Sequence, residues 1–162
     1  DTDFIGTDGP GGGAFKDAAS LAEAVAAQWP FAHEGAPYVV MTGGEPLLQV
    51  DTPLIDALHE QGFEIAVETN GTIAAPDGID WVCVSPKANA KLNQTRGNEL
   101  KLVYPQTTAM PDRFEHLDFD FFMLQPMDGP DAQQNTEHCV VYCRAHPKWR
   151  LSLQTHKVLG IP

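Results

Sequence analysis

The amino-acid sequence predicts an α/β fold, a partial parallel (βα)6-type barrel rather than a closed eight-stranded one. Six short, mostly apolar runs have the length and composition of buried strands, and segments with helical periodicity separate several of them. Glycine, proline or polar residues follow every run, whereas the opposite ends lack them. Because ligands of parallel α/β folds bind at the carboxyl ends of strands, this pattern predicts a single functional edge.

The six predicted strands are defined by their apolar residues. In chain order they are Val39–Met41, Glu64–Val67, Trp81–Val84, Glu99–Val103, Phe121–Leu124 and Arg150–Leu153. The connections after the third and the fourth strand contain little helical pattern.

Three segments have helical signals. Leu21 and Val25 recur at four-residue spacing in a helix predicted from Asp17 to Trp29, with Asp17 as the cap. A second helix begins at Asp51, has a proline in its first turn and ends at a glycine. A third is predicted from about Gln134 to His146.

Composition narrows the class of protein. A chain of 162 residues with 43% hydrophobic residues is expected to form a single domain. Its formal net charge of −12 argues against binding to nucleic acid or to an anionic membrane surface. Three cysteines without a disulfide-rich pattern suit the reducing cytoplasm, and no apolar run is long enough to span a membrane.

The turn after the first strand is the strongest local signal. Gly43 and Gly44 allow a ligand to approach bare backbone groups, and Glu45 adds a negative charge beside them. Backbone carbonyls with a carboxylate suit a ligand that carries an ammonium group. An ordinary strand-to-helix turn without a ligand explains the same residues.

Other candidates have simpler alternatives as well. Thr2 lies between two aspartates, which is compatible with Mg²⁺ but also with a frayed terminus. Glu68, Ser85 and Lys87 follow predicted strands, and Lys87 is the best cation for a ligand carboxylate. His156 follows the last strand, where a ligand contact and a solvated side chain are both open.

The cysteine pair on the third helix is interpreted as part of the core. Cys139 and Cys143 lie four residues apart among apolar residues, with no third ligand placed to complete a tetrahedral site.

Five short motifs together resemble the 7-carboxy-7-deazaguanine synthase family of radical S-adenosylmethionine enzymes. They are Thr42–Pro46, Glu68–Gly71, Ser85–Lys87, Gln125–Gly129 and Gln154–Lys157. The resemblance implies a ring contraction of 6-carboxy-5,6,7,8-tetrahydropterin to 7-carboxy-7-deazaguanine and ammonia, in queuosine biosynthesis. It also implies a homodimer, S-adenosylmethionine, a four-iron, four-sulfur cluster, Mg²⁺, and an electron donor such as flavodoxin.

The resemblance also implies roles for individual residues. Thr2 would ligate Mg²⁺, and Thr42 and the Pro162 carboxylate would bind the pterin, with His156 inferred as a neighbour and candidate catalytic group. The S-adenosylmethionine set would be Gly43, Gly44, Glu45, Glu68, Ser85, Pro86, Lys87, Gln125, Pro126, Met127 and Asp128.

The sequence departs from the family pattern at its beginning. The family's three cluster cysteines would precede Asp1, so the chain is expected to be truncated, to lack the barrel's first strand and to be inactive by itself. Two other functions stay open: a pterin- or nucleoside-binding protein without a cluster, and a Mg²⁺-dependent non-radical lyase that uses Glu68 and His156.

Overall fold

The computed structural model describes residues 12–29 and 35–161, and its strands form one six-stranded sheet. The strand order follows the chain from β1 to β6, and the register is parallel in the β1–β2, β3–β4, β4–β5 and β5–β6 pairs. The strands are β1 (Tyr38–Met41), β2 (Glu64–Thr69), β3 (Trp81–Val84), β4 (Arg96–Tyr104), β5 (Asp118–Pro126) and β6 (Trp149–Leu151). The predicted partial parallel α/β sheet is confirmed.

Four α-helices lie in the described part of the chain. They are α1 (Ala18–Ala26), α2 (Thr52–Glu60), α3 (Ala132–Ala145) and α4 (Thr155–Leu159). The first three confirm the predicted helices. The side chains of Asp17 and Asp51 cap α1 and α2 by accepting hydrogen bonds from the Ser20 and Leu54 backbone N–H groups.

The chain divides into two compact units, one with residues up to Glu68 and Ala75–Trp81, the other with Thr69–Ala74 and the residues from Val82 onward. The single domain inferred from length therefore remains a prediction. No helix in the described ranges is both long and apolar enough to cross a membrane.

In the first unit, α1 packs against α2, and the buried hydrophobic residues come chiefly from α2 and β2, with Ala22 added by α1 and Leu47, Val50 and Phe63 by the connections. Ile55 and Leu58 on α2 and Ile65 and Val67 on β2 are at most 1% exposed. Burial of these aliphatic side chains holds β2 in place, and β1 is paired to β2 in parallel, so the carboxyl ends of both strands are fixed.

The second unit has its core between α3 and the strands β3 to β6. Val84, Leu100 and Leu124 are fully buried there, with Cys139 from α3 and Trp149 from β6. Cys143 packs against this cluster, so the prediction that both cysteines belong to the core is confirmed. The Trp149 indole Nε1 donates to Glu115 Oε1 at 2.8 Å, which satisfies its one polar atom.

The structure corrects several bounds of the predicted elements, among them the last strand, which ends at Leu151 and not at Leu153. β2 and β5 continue to Thr69 and Pro126, so Glu68, Gln125 and Pro126 belong to strands and not to the turns after them. The polar residues that follow the last predicted strand, for which no helix was predicted, begin α4, which contains His156.

Candidate functional site

The carboxyl end of β1 presents bare backbone. Thr42, Gly43 and Gly44 follow Met41 and are exposed. Gly43 has φ of +124°, which glycine adopts readily, and a Cβ built on Gly43 or Gly44 would meet no atom within 4 Å. Space beside exposed backbone groups is what a ligand needs at this position.

Glu45 is held where the glycines end. Its Oε1 accepts a hydrogen bond from Leu47 N at 3.1 Å and caps the 3-10 helix Pro46–Leu48. Pro46 and Leu47 are buried, so the short helix anchors the turn to the core of its unit. The result is a carboxylate whose position relative to Gly44 is fixed by the backbone.

Glu68 lies at the carboxyl end of the neighbouring strand in the same unit. It is exposed, whereas Ile65, Ala66 and Val67 before it are buried. Because β1 pairs with β2 in parallel, the ends of the two strands lie at the same edge of the sheet.

In the second unit, the residues Ser85–Lys87 follow the carboxyl end of β3. Ser85 N donates to Thr69 O at 2.8 Å, Pro86 is buried and Lys87 is exposed. The predicted cation is therefore open to solvent at the end of a firmly packed strand.

The residues at the end of β5 are fixed by their neighbours. Met127 N donates to Tyr104 O at 2.8 Å, and Asn135 Nδ2 donates to Met127 O at 2.9 Å. Gln125 and Pro126 are half-buried in the strand, while Met127 and Asp128 are exposed. The side chain of Asn135, itself 8% exposed, thus ties this loop to the start of α3.

Asp128 forms an ion pair with Lys157 of α4. Its other carboxylate oxygen accepts from Gly129 N at 2.9 Å. The Lys157 hydrogen bond, followed by the Gly129 backbone hydrogen bond and the Lys157 charge, holds the pKa of Asp128 below its ordinary value. Both oxygens of Asp128 therefore have partners within the chain, and α4, with the exposed His156, is connected to the β5 loop.

The structure brings the predicted residues together in part. Asp128 and the helix that carries His156 are linked by the ion pair, and Ser85 is joined to the end of β2 through Thr69. Thr2 and Pro162 lie outside the described residues.

Sequence reasoning gave no role to three residues that build the site: Lys157, Asn135 and Thr69. Lys157 pairs with an aspartate 29 positions away. A pairing over that separation has no local signal in a sequence. Asn135 lies among polar residues at the start of the third helix, so the sequence does not indicate its burial.

The described ranges contain no group of three or more His, Cys, Asp or Glu side chains that could hold a metal ion. Cys83 Sγ donates to Glu99 Oε1 at 3.6 Å in a partly buried position. Burial raises the pKa of the Cys139 thiol to about 12 and also raises the pKa of Cys143. Cluster iron binds thiolates, and the raised pKa values of Cys139 and Cys143 on α3, with Cys83 on a different element, β3, do not suit its ligands.

No family model matches the chain. Curated relatives do. The chain is 63% identical over 161 residues to the 7-carboxy-7-deazaguanine synthase of Bradyrhizobium diazoefficiens, an alignment that covers 99% of this chain and 76% of that protein. The chain belongs to the 7-carboxy-7-deazaguanine synthase family. Synthases of Caulobacter vibrioides and Bordetella pertussis are 62% and 60% identical, each aligned over 100% of this chain and 77% of its own length.

A solved structure of the family has a similar fold. The crystal structure of QueE from Escherichia coli superposes with a TM-score of 0.63 at 30% sequence identity. The match covers 85% of this chain and 63% of that chain. The family assignment and the parallel sheet therefore agree.

Proposed function

We propose that the gene product that carries this chain is a 7-carboxy-7-deazaguanine synthase, a radical S-adenosylmethionine carbon–nitrogen lyase. Its reaction would convert 6-carboxy-5,6,7,8-tetrahydropterin to 7-carboxy-7-deazaguanine and ammonia, in queuosine biosynthesis. The single observation that carries the proposal is 63% identity to a curated synthase over 161 residues. The open backbone at the end of β1 supports it.

The β1 turn is suited to the methionyl end of S-adenosylmethionine. Gly43 and Gly44 leave room for the ligand, and their carbonyl oxygens are acceptors for its ammonium group. The charge of Glu45 adds electrostatic attraction in a position held by Leu47 N. When bound, S-adenosylmethionine supplies the radical chemistry, and the chain supplies binding, orientation and the exclusion of water.

We assign further residues to the same cofactor. Lys87 is the exposed cation at the end of β3, suited to the methionyl carboxylate. Asp128 is held as a carboxylate by Lys157 and Gly129, so it remains an acceptor for ligand hydroxyl groups. The remaining members of the proposed set are Glu68, Ser85, Pro86, Gln125, Pro126 and Met127.

For the pterin we propose Thr42, His156 and Pro162. Thr42 is exposed next to the glycine turn, and its hydroxyl can both donate to and accept from the ring. His156 is exposed on α4. Thr2 is proposed as a ligand of Mg²⁺, an ion that prefers oxygen ligands.

The three cysteines of the sequence do not fit an iron–sulfur cluster, because Cys83 lies on β3 whereas Cys139 and Cys143 pack in the core from α3. An electron donor such as flavodoxin, a homodimer and a cytoplasmic location complete the proposal, and the free thiols support a reducing compartment.

The test is turnover by the gene product that carries this chain, purified without oxygen. It is incubated with 6-carboxytetrahydropterin, Mg²⁺ and a chemical reductant, with and without S-adenosylmethionine, and the products are identified by mass spectrometry. The proposal expects 7-carboxy-7-deazaguanine only when S-adenosylmethionine is present. Absence of product under both conditions, or equal product in both, contradicts it.

A further inference from the structure

We propose that Asn93 is a positioning residue for S-adenosylmethionine. It fixes the turn Thr69–Thr72, here named the β2 turn, and through that turn the segment Ser85–Lys87. The inference rests on the proposed function, because it takes Ser85–Lys87 as part of the cofactor site. All of these residues belong to the second unit.

The β2 turn has its own side-chain hydrogen bonds. Gly71 N donates to Thr69 Oγ1 at 3.0 Å, and Thr72 N donates to Asn70 Oδ1 at 2.8 Å. Thr69 is only 2% exposed, so its hydroxyl acts in a dry environment where a hydrogen bond is electrostatically stronger.

Asn93 and its neighbour Gln94 donate hydrogen bonds to the β2 turn. Asn93 N and Gln94 N both donate to Gly71 O, at 2.8 and 3.0 Å, and Asn93 Nδ2 donates to Thr72 O at 2.6 Å. Two successive carbonyl oxygens of the turn are therefore bound by one residue and its neighbour. The turn cannot shift without breaking these bonds.

The β2 turn also determines the position of the segment Ser85–Lys87. Thr69 O accepts the hydrogen bond from Ser85 N at 2.8 Å. Val84, the residue before Ser85, is fully buried and packs against Gly71. The contact is so close that a Cβ built on Gly71 would lie 2.7 Å from Val84 Cγ1. A displacement of the β2 turn therefore moves the first residue of the Ser85–Lys87 segment.

The Asn93 side chain contributes to placement more than to the fold. It is exposed and lies outside the buried cluster that includes Leu100 and Leu124. Loss of the Asn93 Nδ2 hydrogen bond to Thr72 O leaves that buried cluster intact, so its main effect falls on the position of the β2 turn. Its loss is thus expected to affect ligand affinity before it affects stability.

The experiment measures S-adenosylmethionine binding by titration calorimetry on the gene product that carries this chain, with thermal unfolding in parallel. Asn93→Ala is compared with Asn89→Ala, an exposed asparagine in the same connection. We expect the Kd of Asn93→Ala to rise about fivefold, the effect of one lost hydrogen bond, and that of Asn89→Ala to stay as in wild type. The KM for the pterin should not change.

A merely structural role would lower the number of binding sites and the unfolding temperature without changing Kd, and that result overturns the proposal. Thr69→Val keeps the shape of the side chain but removes the Oγ1 that accepts the hydrogen bond from Gly71 N. This variant should also raise the Kd for S-adenosylmethionine. If Asn93→Ala and Thr69→Val both bind S-adenosylmethionine with the Kd of wild type, the positioning role is refuted. If wild type itself does not bind S-adenosylmethionine, the proposed function fails, a result distinct from normal binding in wild type and both variants.

Discussion

Replacement of Gly71 by alanine should destabilise the protein by both backbone strain and steric overlap. Gly71 has φ of +75°, and a Cβ there would lie 2.5 Å from Leu92 Cδ1 and 2.7 Å from Val84 Cγ1. A left-handed φ costs an alanine about 1–2 kcal/mol, and overpacking of a buried site costs about 1–3 kcal/mol more. Val84 is fully buried and cannot move into solvent, whereas the half-buried Leu92 side chain can shift, so the overlap with Val84 decides the cost.

Gly62→Ala is the matched control. Gly62 has φ of +83°, close to that of Gly71, but a Cβ there would meet nothing within 4 Å. Strain and the change in unfolded-state entropy therefore cancel in the comparison, and only the overlap remains.

The assay is urea and thermal unfolding of both variants and wild type. The free energy of unfolding of Gly71→Ala should be lower than that of Gly62→Ala by about 1–3 kcal/mol, which lowers the unfolding temperature by about 3–10 °C. Equal midpoints for the two variants would show that the region around Gly71 is not packed as described.

Three further outcomes are expected. Asp80→Ala should lower the free energy of unfolding by about 1 kcal/mol after solvent screening, because Asp80 Oδ2 accepts a hydrogen bond from Ile65 N at 2.8 Å. That bond lowers the pKa of Asp80 below 3.8. Urea unfolding should therefore show the full loss of stability above pH 3.8 and a smaller loss as the pH falls through the pKa of the folded state. Cys139, with a pKa raised to about 12, should resist iodoacetamide at about pH 8 in the native protein and react after unfolding, as read by mass spectrometry; equal labelling would contradict its burial. Trp149→Phe should cost about 1–2 kcal/mol in urea unfolding through loss of the 2.8 Å bond to Glu115, and no cost would mean that this bond adds nothing.

The sheet was predictable because each strand carries a run of apolar residues next to a turn signal. Leu100 and Leu102 illustrate this: both are fully buried on β4. The ends of the strands were harder to predict from the sequence. β5 continues to Pro126 because its backbone stays paired with the neighbouring strand, and the pattern of apolar residues does not show this pairing. α4 was missed because it is short and its apolar side chains, such as Val158 at 71%, face solvent, so no buried face produced a helical period.

For the candidate residues, the sequence indicated their place after the ends of strands, and their binding roles stay predictions. Gly43, Gly44 and Lys87 lie at carboxyl ends of strands, as the turn residues indicated. The Asp128–Lys157 pair and the bonds from Asn93 were not predictable, because they join residues distant in sequence and depend on the folded backbone. Side-chain patterns identify an edge of a sheet, whereas partners along that edge follow only from tertiary structure.

Calorimetric titration of S-adenosylmethionine into wild type and Gly44→Val is the most direct test of the proposed binding at the β1 turn. Gly44 has no left-handed φ and open space at its Cβ, so valine should leave the fold intact while it occupies the ligand's place. Gly13→Val, at another exposed glycine, is the control. Saturable binding is expected in wild type and Gly13→Val, and at least about tenfold weaker binding in Gly44→Val. Equal affinity in all three proteins, or no binding in wild type, would contradict the proposed binding.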